Sequence, residues 1–119
     1  MYLQLYIIRH AESMGNIETD EPFDKTNPPL TAHGKKQAAA LGRRFSDLKD
    51  FTLYASPLDR AVETASNISD NMIVDYDLLE RGVRKAENGF QDFDESDEEC
   101  VERAKRVIER IKSKHHNHE

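Results

Sequence analysis

Apolar residues along the chain fall into short runs separated by stretches with helical spacing. The run Leu3-Gln4-Leu5-Tyr6-Ile7-Ile8 predicts a buried strand of a parallel sheet, and Phe51 to Ala55 and Met72 to Tyr76 predict a second and a third. Between the first two, Thr31 is placed to cap a helix whose apolar stripe runs through Ala38, Leu41 and Phe45. Ser56-Pro57 predicts another helix start, with the serine oxygen as cap, proline at the first helical position and Arg60 in the first turn. Ser96 with Glu99 forms a capping box, and Val101, Ala104, Val107, Ile108 and Ile111 predict one apolar face of a last helix ending near Lys114. Strand and helix in alternation predict an α/β fold, a three-layer α/β/α arrangement of flavodoxin-like or Rossmann-like build with a mainly parallel sheet. Residues 11 to 30 contain Gly15, Asn16, Pro22, Asn27, Pro28 and Pro29, too many breakers for one regular element; loops of that length are usually functional or disordered.

Bulk properties narrow the range of functions. No repeat or linker divides the 119 residues, so a single domain, 1–119, is expected. Seventeen basic against twenty-three acidic residues give a net charge of −6, which disfavours nucleic acid as a partner. No apolar run is long enough for a membrane span, and one cysteine, Cys100, cannot form an internal disulfide; the expected setting is cytoplasmic. A glycine-rich phosphate loop is lacking, which leaves no support for nucleotide binding by that route, and no cofactor is expected. His115, His116 and His118 have no second ligand cluster and are expected in a solvated tail, without a metal.

The chemistry-bearing residues stand at the end of the first predicted strand. Arg9 and His10 follow the apolar run directly, where open α/β sheets place their ligand crevice. An imidazole can carry a transferred group on a ring nitrogen, and a guanidinium offers a planar fork of donors suited to phosphate oxygens. The pair suggests phosphoryl transfer through histidine.

Four segments in series resemble the histidine phosphatase superfamily, the phosphoglycerate mutase-like enzymes. They are Arg9-His10-Ala11-Glu12, with Ala where the family motif has Gly; Leu30-Thr31-Ala32-His33-Gly34-Lys35-Lys36-Gln37-Ala38; Ser56-Pro57-Leu58-Asp59-Arg60-Ala61-Val62-Glu63-Thr64-Ala65; and Leu79-Glu80 with Gly89. The resemblance implies a phosphoglycerate mutase-like fold and a metal-independent phosphatase acting on a phosphomonoester or phosphohistidine. It casts His10 as the nucleophile that becomes phosphohistidine, and Arg9, Asn16 and Arg60 as phosphate ligands. Glu80 becomes the acid that protonates the leaving oxygen and then helps activate water, with Glu87 as a nearby rival. That role calls for a carboxyl pKa raised by partial burial, and attack calls for an unprotonated ring nitrogen. Glu12 and Ser13 either touch the site or shape its loop.

The family also has a second catalytic histidine, in a His-Gly pair on a strand after the last helix, and nothing after Ile111 resembles it. That strand is expected between the first and second strands of the sheet. Without it the sheet must re-pair, take a strand from another subunit, or belong to a truncated member, which makes a homo-oligomer an option. Partners are then a small phosphorylated substrate or a phosphoprotein. A non-catalytic member that binds phosphorylated ligands or a protein is one alternative; phosphoglycerate mutase-type transfer is another. The second is disfavoured by the missing lid segments and by Met14-Gly15 in place of a bulkier aromatic.

Overall fold

The computed structural model describes residues 4–25 and 27–115 of the chain. Helix α1 (Ala32–Arg44) opens on Thr31, whose side-chain oxygen accepts from the Gly34 amide, as the sequence predicts. Strand β1 (Leu53–Ala55) leads to helix α2 (Asp59–Ser66), and strand β2 (Met72–Val74) returns to pair with β1 in parallel, Tyr54 opposite Ile73. A hairpin of β3 (Val83–Ala86) and β4 (Gly89–Asp92) follows, and helix α3 (Asp97–His115) closes the described chain. The architecture is α/β, with a parallel pair joined through a helix.

Several boundaries differ from expectation, each for a local reason. Residues 4 to 10 form no strand: they lie outside every ladder, with Leu5 47% and Ile7 85% exposed, while Leu3 is outside the described residues. An extended apolar segment becomes a strand only by pairing, and among the described residues β1 is paired with β2 alone. The second strand begins late, at Leu53, and the third ends early because Asp75 caps a 3-10 turn over Tyr76–Leu78 by accepting from the Asp77 amide. Helix α2 starts two residues later than Ser56-Pro57 predicts. Leu58, 1% exposed, is its extended N-cap residue, and Asn27 from the long loop accepts from the Asp59 amide at 2.9 Å. Ser56 instead turns back on the Leu58 amide at 3.4 Å.

The hairpin falls in a stretch for which the sequence predicts no regular element. Its two-residue turn, Glu87-Asn88, is followed by Gly89 at φ +121°, a backbone conformation that favours glycine. On α3 half of the capping box is present: Ser96 Oγ accepts from the Glu99 amide at 3.1 Å, while the Glu99 carboxylate accepts from the Ser96 hydroxyl at 3.2 Å rather than from its backbone amide. Its predicted apolar face is mostly not buried, however: Val101 and Ile108 are exposed and Val107 is the buried residue. The inward stripe is Arg103, Val107, Ile111 and His115, at four-residue steps with a guanidinium as its first member.

Two apolar clusters position the site. Ala11, Leu30 and Ala38 tie the start of the long loop to α1, and Leu58, Leu79 and Val83, with Phe90 against them, tie α2 to the hairpin. The long loop itself is pinned by an antiparallel bridge between Ser13 and Leu30 and by a short 3-10 turn, Met14–Asn16.

Candidate active site

Three elements bring their side chains together around Glu80. His10 ends the N-terminal segment, Arg60 lies in the first turn of α2, and Glu80 follows the 3-10 turn after β2. Glu80 Oε1 is 3.0 Å from His10 Nε2 and accepts from Arg60 Nε at 3.1 Å; Glu80 Oε2 pairs with Arg60 Nη2 at 2.9 Å. The guanidinium is deeply buried, with a side chain 6% exposed, whereas the carboxylate stands 47% exposed. Arg60 therefore waits at the floor of the site with Glu80 across it.

One donor of that floor is left over. Arg60 Nη1 is buried without a hydrogen-bond partner among the described residues, a costly arrangement for a charged group. The backbone around it is held firmly: Thr64 Oγ1 accepts from the Ala11 amide at 3.0 Å and donates to the Arg60 carbonyl at 2.7 Å. This one hydroxyl registers the His10-Ala11 turn against the helix that bears Arg60. Thr64 stands in the matched segment, yet nothing in its spacing announced the link.

The ring of His10 has acceptors on both sides. Its Nδ1 lies 2.6 Å from the Ala11 carbonyl, which can only accept, so that nitrogen carries a proton. Nε2 faces Glu80 Oε1 and is the ring nitrogen turned toward the space in front of Arg60.

The carboxyl of Glu80 is shifted opposite to expectation. Burial pushes its pKa up and is the largest single influence, but the Arg60 hydrogen bond, the Arg60 charge and His10 together outweigh it and hold the group below the usual glutamate range. A raised pKa was predicted from burial alone; the adjacent guanidinium reverses the sign.

The other predicted residues have different surroundings. Arg9 is exposed and makes no hydrogen bond or ion pair to a described residue; with His10, Ala11, Gln37, Ala38, Leu41 and Thr64 it lines a cavity of about 230 Å³ on the α1 side. Arg60 is not among that cavity's walls. Asn16 accepts from the Ser13 amide at 3.0 Å and from Ser13 Oγ at 3.1 Å, so it closes the loop on itself. Glu12 also shapes the loop: its carboxylate accepts from Thr31 Oγ1 at 2.8 Å and its amide donates to Gln37 Oε1 at 2.9 Å. Glu87 is exposed at the hairpin turn, leaving Glu80 as the acid beside His10. His115 is not in a solvated tail: it ends α3 with Nε2 2.9 Å from the Tyr54 hydroxyl, while His116 and His118 lie outside the described residues. Among the described residues no three His, Cys, Asp or Glu side chains group as metal ligands, and no helix is long and apolar enough to cross a membrane.

Residues 5–91 match the model of the histidine phosphatase superfamily, branch 1. The chain belongs to that superfamily. It is 37% identical over 91 residues to fructose-2,6-bisphosphatase TIGAR B of Danio rerio, covering 70% of this chain and 35% of that protein. It is 37% identical over 86 residues to the 2,3-bisphosphoglycerate-dependent phosphoglycerate mutase of Thermoplasma acidophilum, covering 67% of this chain and 42% of that one. The chain thus spans well under half the length of these relatives. The crystal structure of a candidate alpha-ribazole-5'-P phosphatase from Escherichia coli superposes with a TM-score of 0.70 at 23% identity, over 92% of this chain and 67% of that one. The fold is accordingly phosphoglycerate mutase-like.

Proposed function

We propose that this chain carries the phosphoryl-accepting half of a metal-independent phosphatase, acting on a phosphomonoester or phosphohistidine through a phosphohistidine at His10. The observation that carries the reading is the buried Arg60 guanidinium, with Nη1 unpaired and its other donors on a carboxylate that also touches His10. Such a fork is suited to a tetrahedral anion. Relatives named as a bisphosphatase and a phosphoglycerate mutase support a small phosphorylated substrate.

In this scheme a phosphate dianion enters between His10 and Arg60 and displaces the Glu80 oxygens. Losing Arg60 removes the contact that holds the Glu80 carboxyl down, so Glu80 takes up a proton from solvent. Nε2 then attacks phosphorus, the ester P–O bond breaks, and the leaving oxygen takes the proton from Glu80. Water next attacks phosphorus, Glu80 accepts its proton, and the Nε2–P bond breaks to release inorganic phosphate. Arg60 neutralises the transferring oxygens throughout, with Arg9 contributing long-range positive charge and Asn16 supporting the loop edge. The expected setting is cytoplasmic, with self-association through the apolar side chains left exposed.

Steady-state hydrolysis of 4-nitrophenyl phosphate tests the proposal. His10→Asn should abolish turnover, and Arg60→Gln should lower kcat/KM by about a hundredfold or more, the scale for losing a positioned charge in such a site. Turnover that survives His10→Asn would overturn it. Binding of inorganic phosphate that depends on Arg60, without turnover in the parent chain, would instead favour the non-catalytic reading, for which the unpaired Nη1 is equally suited.

A further inference from the structure

We propose that the buried pair of Arg103 and Glu95 is a positioning device that holds Glu80 against His10 and Arg60. The inference rests on the role given to Glu80 above and extends it to residues that touch no substrate. Arg103 projects from the inward stripe of α3, its side chain 14% exposed, and Glu95, 3% exposed, lies just before that helix. Their bidentate contact joins Arg103 Nε to Glu95 Oε2 at 3.0 Å and Nη2 to Glu95 Oε1 at 2.8 Å.

The remaining donors reach the backbone on either side of Glu80. Arg103 Nη1 donates to the carbonyls of Asp77, at 3.1 Å, and Leu79, and Nη2 donates to the Glu80 carbonyl at 3.3 Å. From the other side, Glu95 Oε1 accepts from the Gly82 amide at 2.9 Å. One ion pair thus fixes the chain from Asp77 to Gly82, with Glu80 inside the fastened span. Gly82 adopts φ +80°, and its carbonyl accepts from the Phe93 amide at 2.9 Å, so the turn cannot readily slide. A lysine has a single donor centre and could not span these acceptors.

A purely structural pair would weaken the fold and lower all activity alike. A positioning pair should weaken the step that needs Glu80 as a proton donor more than the step that does not. The two are separated by comparing 4-nitrophenyl phosphate, whose leaving group departs without protonation, with an alkyl phosphate, whose alkoxide does not. The test variant is Glu95→Gln with Arg103→Met, which removes both charges so that neither is stranded. Arg103→Lys serves where the double variant does not fold, and Arg110→Gln, which takes one arginine from Asp75 and one of two from Asp77 without touching the Glu80 backbone, is the control for a looser α3.

The alkyl ester should lose about tenfold more kcat/KM, which reads the steps up to leaving-group departure and not the hydrolysis common to both esters, than the 4-nitrophenyl ester in the test variant, a fraction of what general acid catalysis contributes, and the control should lose both equally. In parallel, 13C NMR of the Glu80 carboxyl should show its titration moving back toward the ordinary glutamate range. An unchanged Glu80 signal in a folded variant, or an equal loss on both esters, would overturn the inference. A parent chain that hydrolyses neither ester would overturn the proposed function, while the carboxyl signal would still decide whether the pair holds Glu80.

Discussion

At the scale of single residues, charge neighbours decide what burial alone would get wrong. Glu80 is half-exposed, yet Arg60 and His10 hold its pKa below the ordinary range. A depressed carboxyl stabilises the fold fully above its unfolded value and loses that contribution as acid protonates it in the folded state. Solvent screens an exposed partner, so Glu80→Gln should cost about 1 kcal/mol near neutral pH, and urea melts below pH 4 should show a smaller difference from the parent. An undiminished difference at low pH would contradict this. Thr31→Ala should cost about 1–2 kcal/mol in the same melts, since it removes both the cap of α1 and the contact that locks Glu12. Motif resemblance singled out His10, Arg60 and Glu80, and their side chains stand within hydrogen-bond reach of one another; the direction of the Glu80 shift was not legible, because it arises from a contact between residues twenty apart.

Helices were legible and strand pairing was not. Thr31 and Ser96 announce α1 and α3 through local capping chemistry, which needs no distant partner. The N-terminal run looks like a strand by composition, but a ladder is a property of two segments. The Asn88-Gly89 dipeptide did offer a local signal for the hairpin. The stripe on α3 misled because a guanidinium, not an apolar group, leads its inner face. Close approach of elements gives a further prediction: a Cβ at Gly34 would stand 2.0 Å from the Glu12 carbonyl oxygen. Gly34→Ala must push α1 away from the loop that follows His10, costing about 1–3 kcal/mol in denaturant melts and lowering hydrolysis in the folded fraction. Unchanged melting and activity would show that the approach is looser than described.

The molecule as a whole is extended for its length. Its radius of gyration is 15.4 Å, against about 13–14 Å for a compact domain of this size, and Leu5, Ile7, Ile73 and Val74 are all exposed. Apolar surface of this kind favours association. Sedimentation velocity should show a species heavier than the 13.7 kDa monomer whose share grows with concentration, and Ile7→Lys should reduce it. A strictly monomeric boundary across the range would contradict that. Acid should also loosen the hold of α3 on the segment before the hairpin. Glu95 is held low by Arg103 and the Gly82 amide against the effect of burial, and Asp77 by Arg110 and Arg106. Both contributions are complete at neutral pH and fade as the pH falls through the depressed values.

The central claim is that His10 receives the phosphoryl group, and mapping of that group tests it most directly. After brief exposure to a labelled phosphate ester and an alkaline quench, peptide mass spectrometry should find acid-labile, base-stable phosphate on the peptide bearing His10, absent in His10→Asn. Label on another residue, or none while inorganic phosphate is being released, would contradict the account.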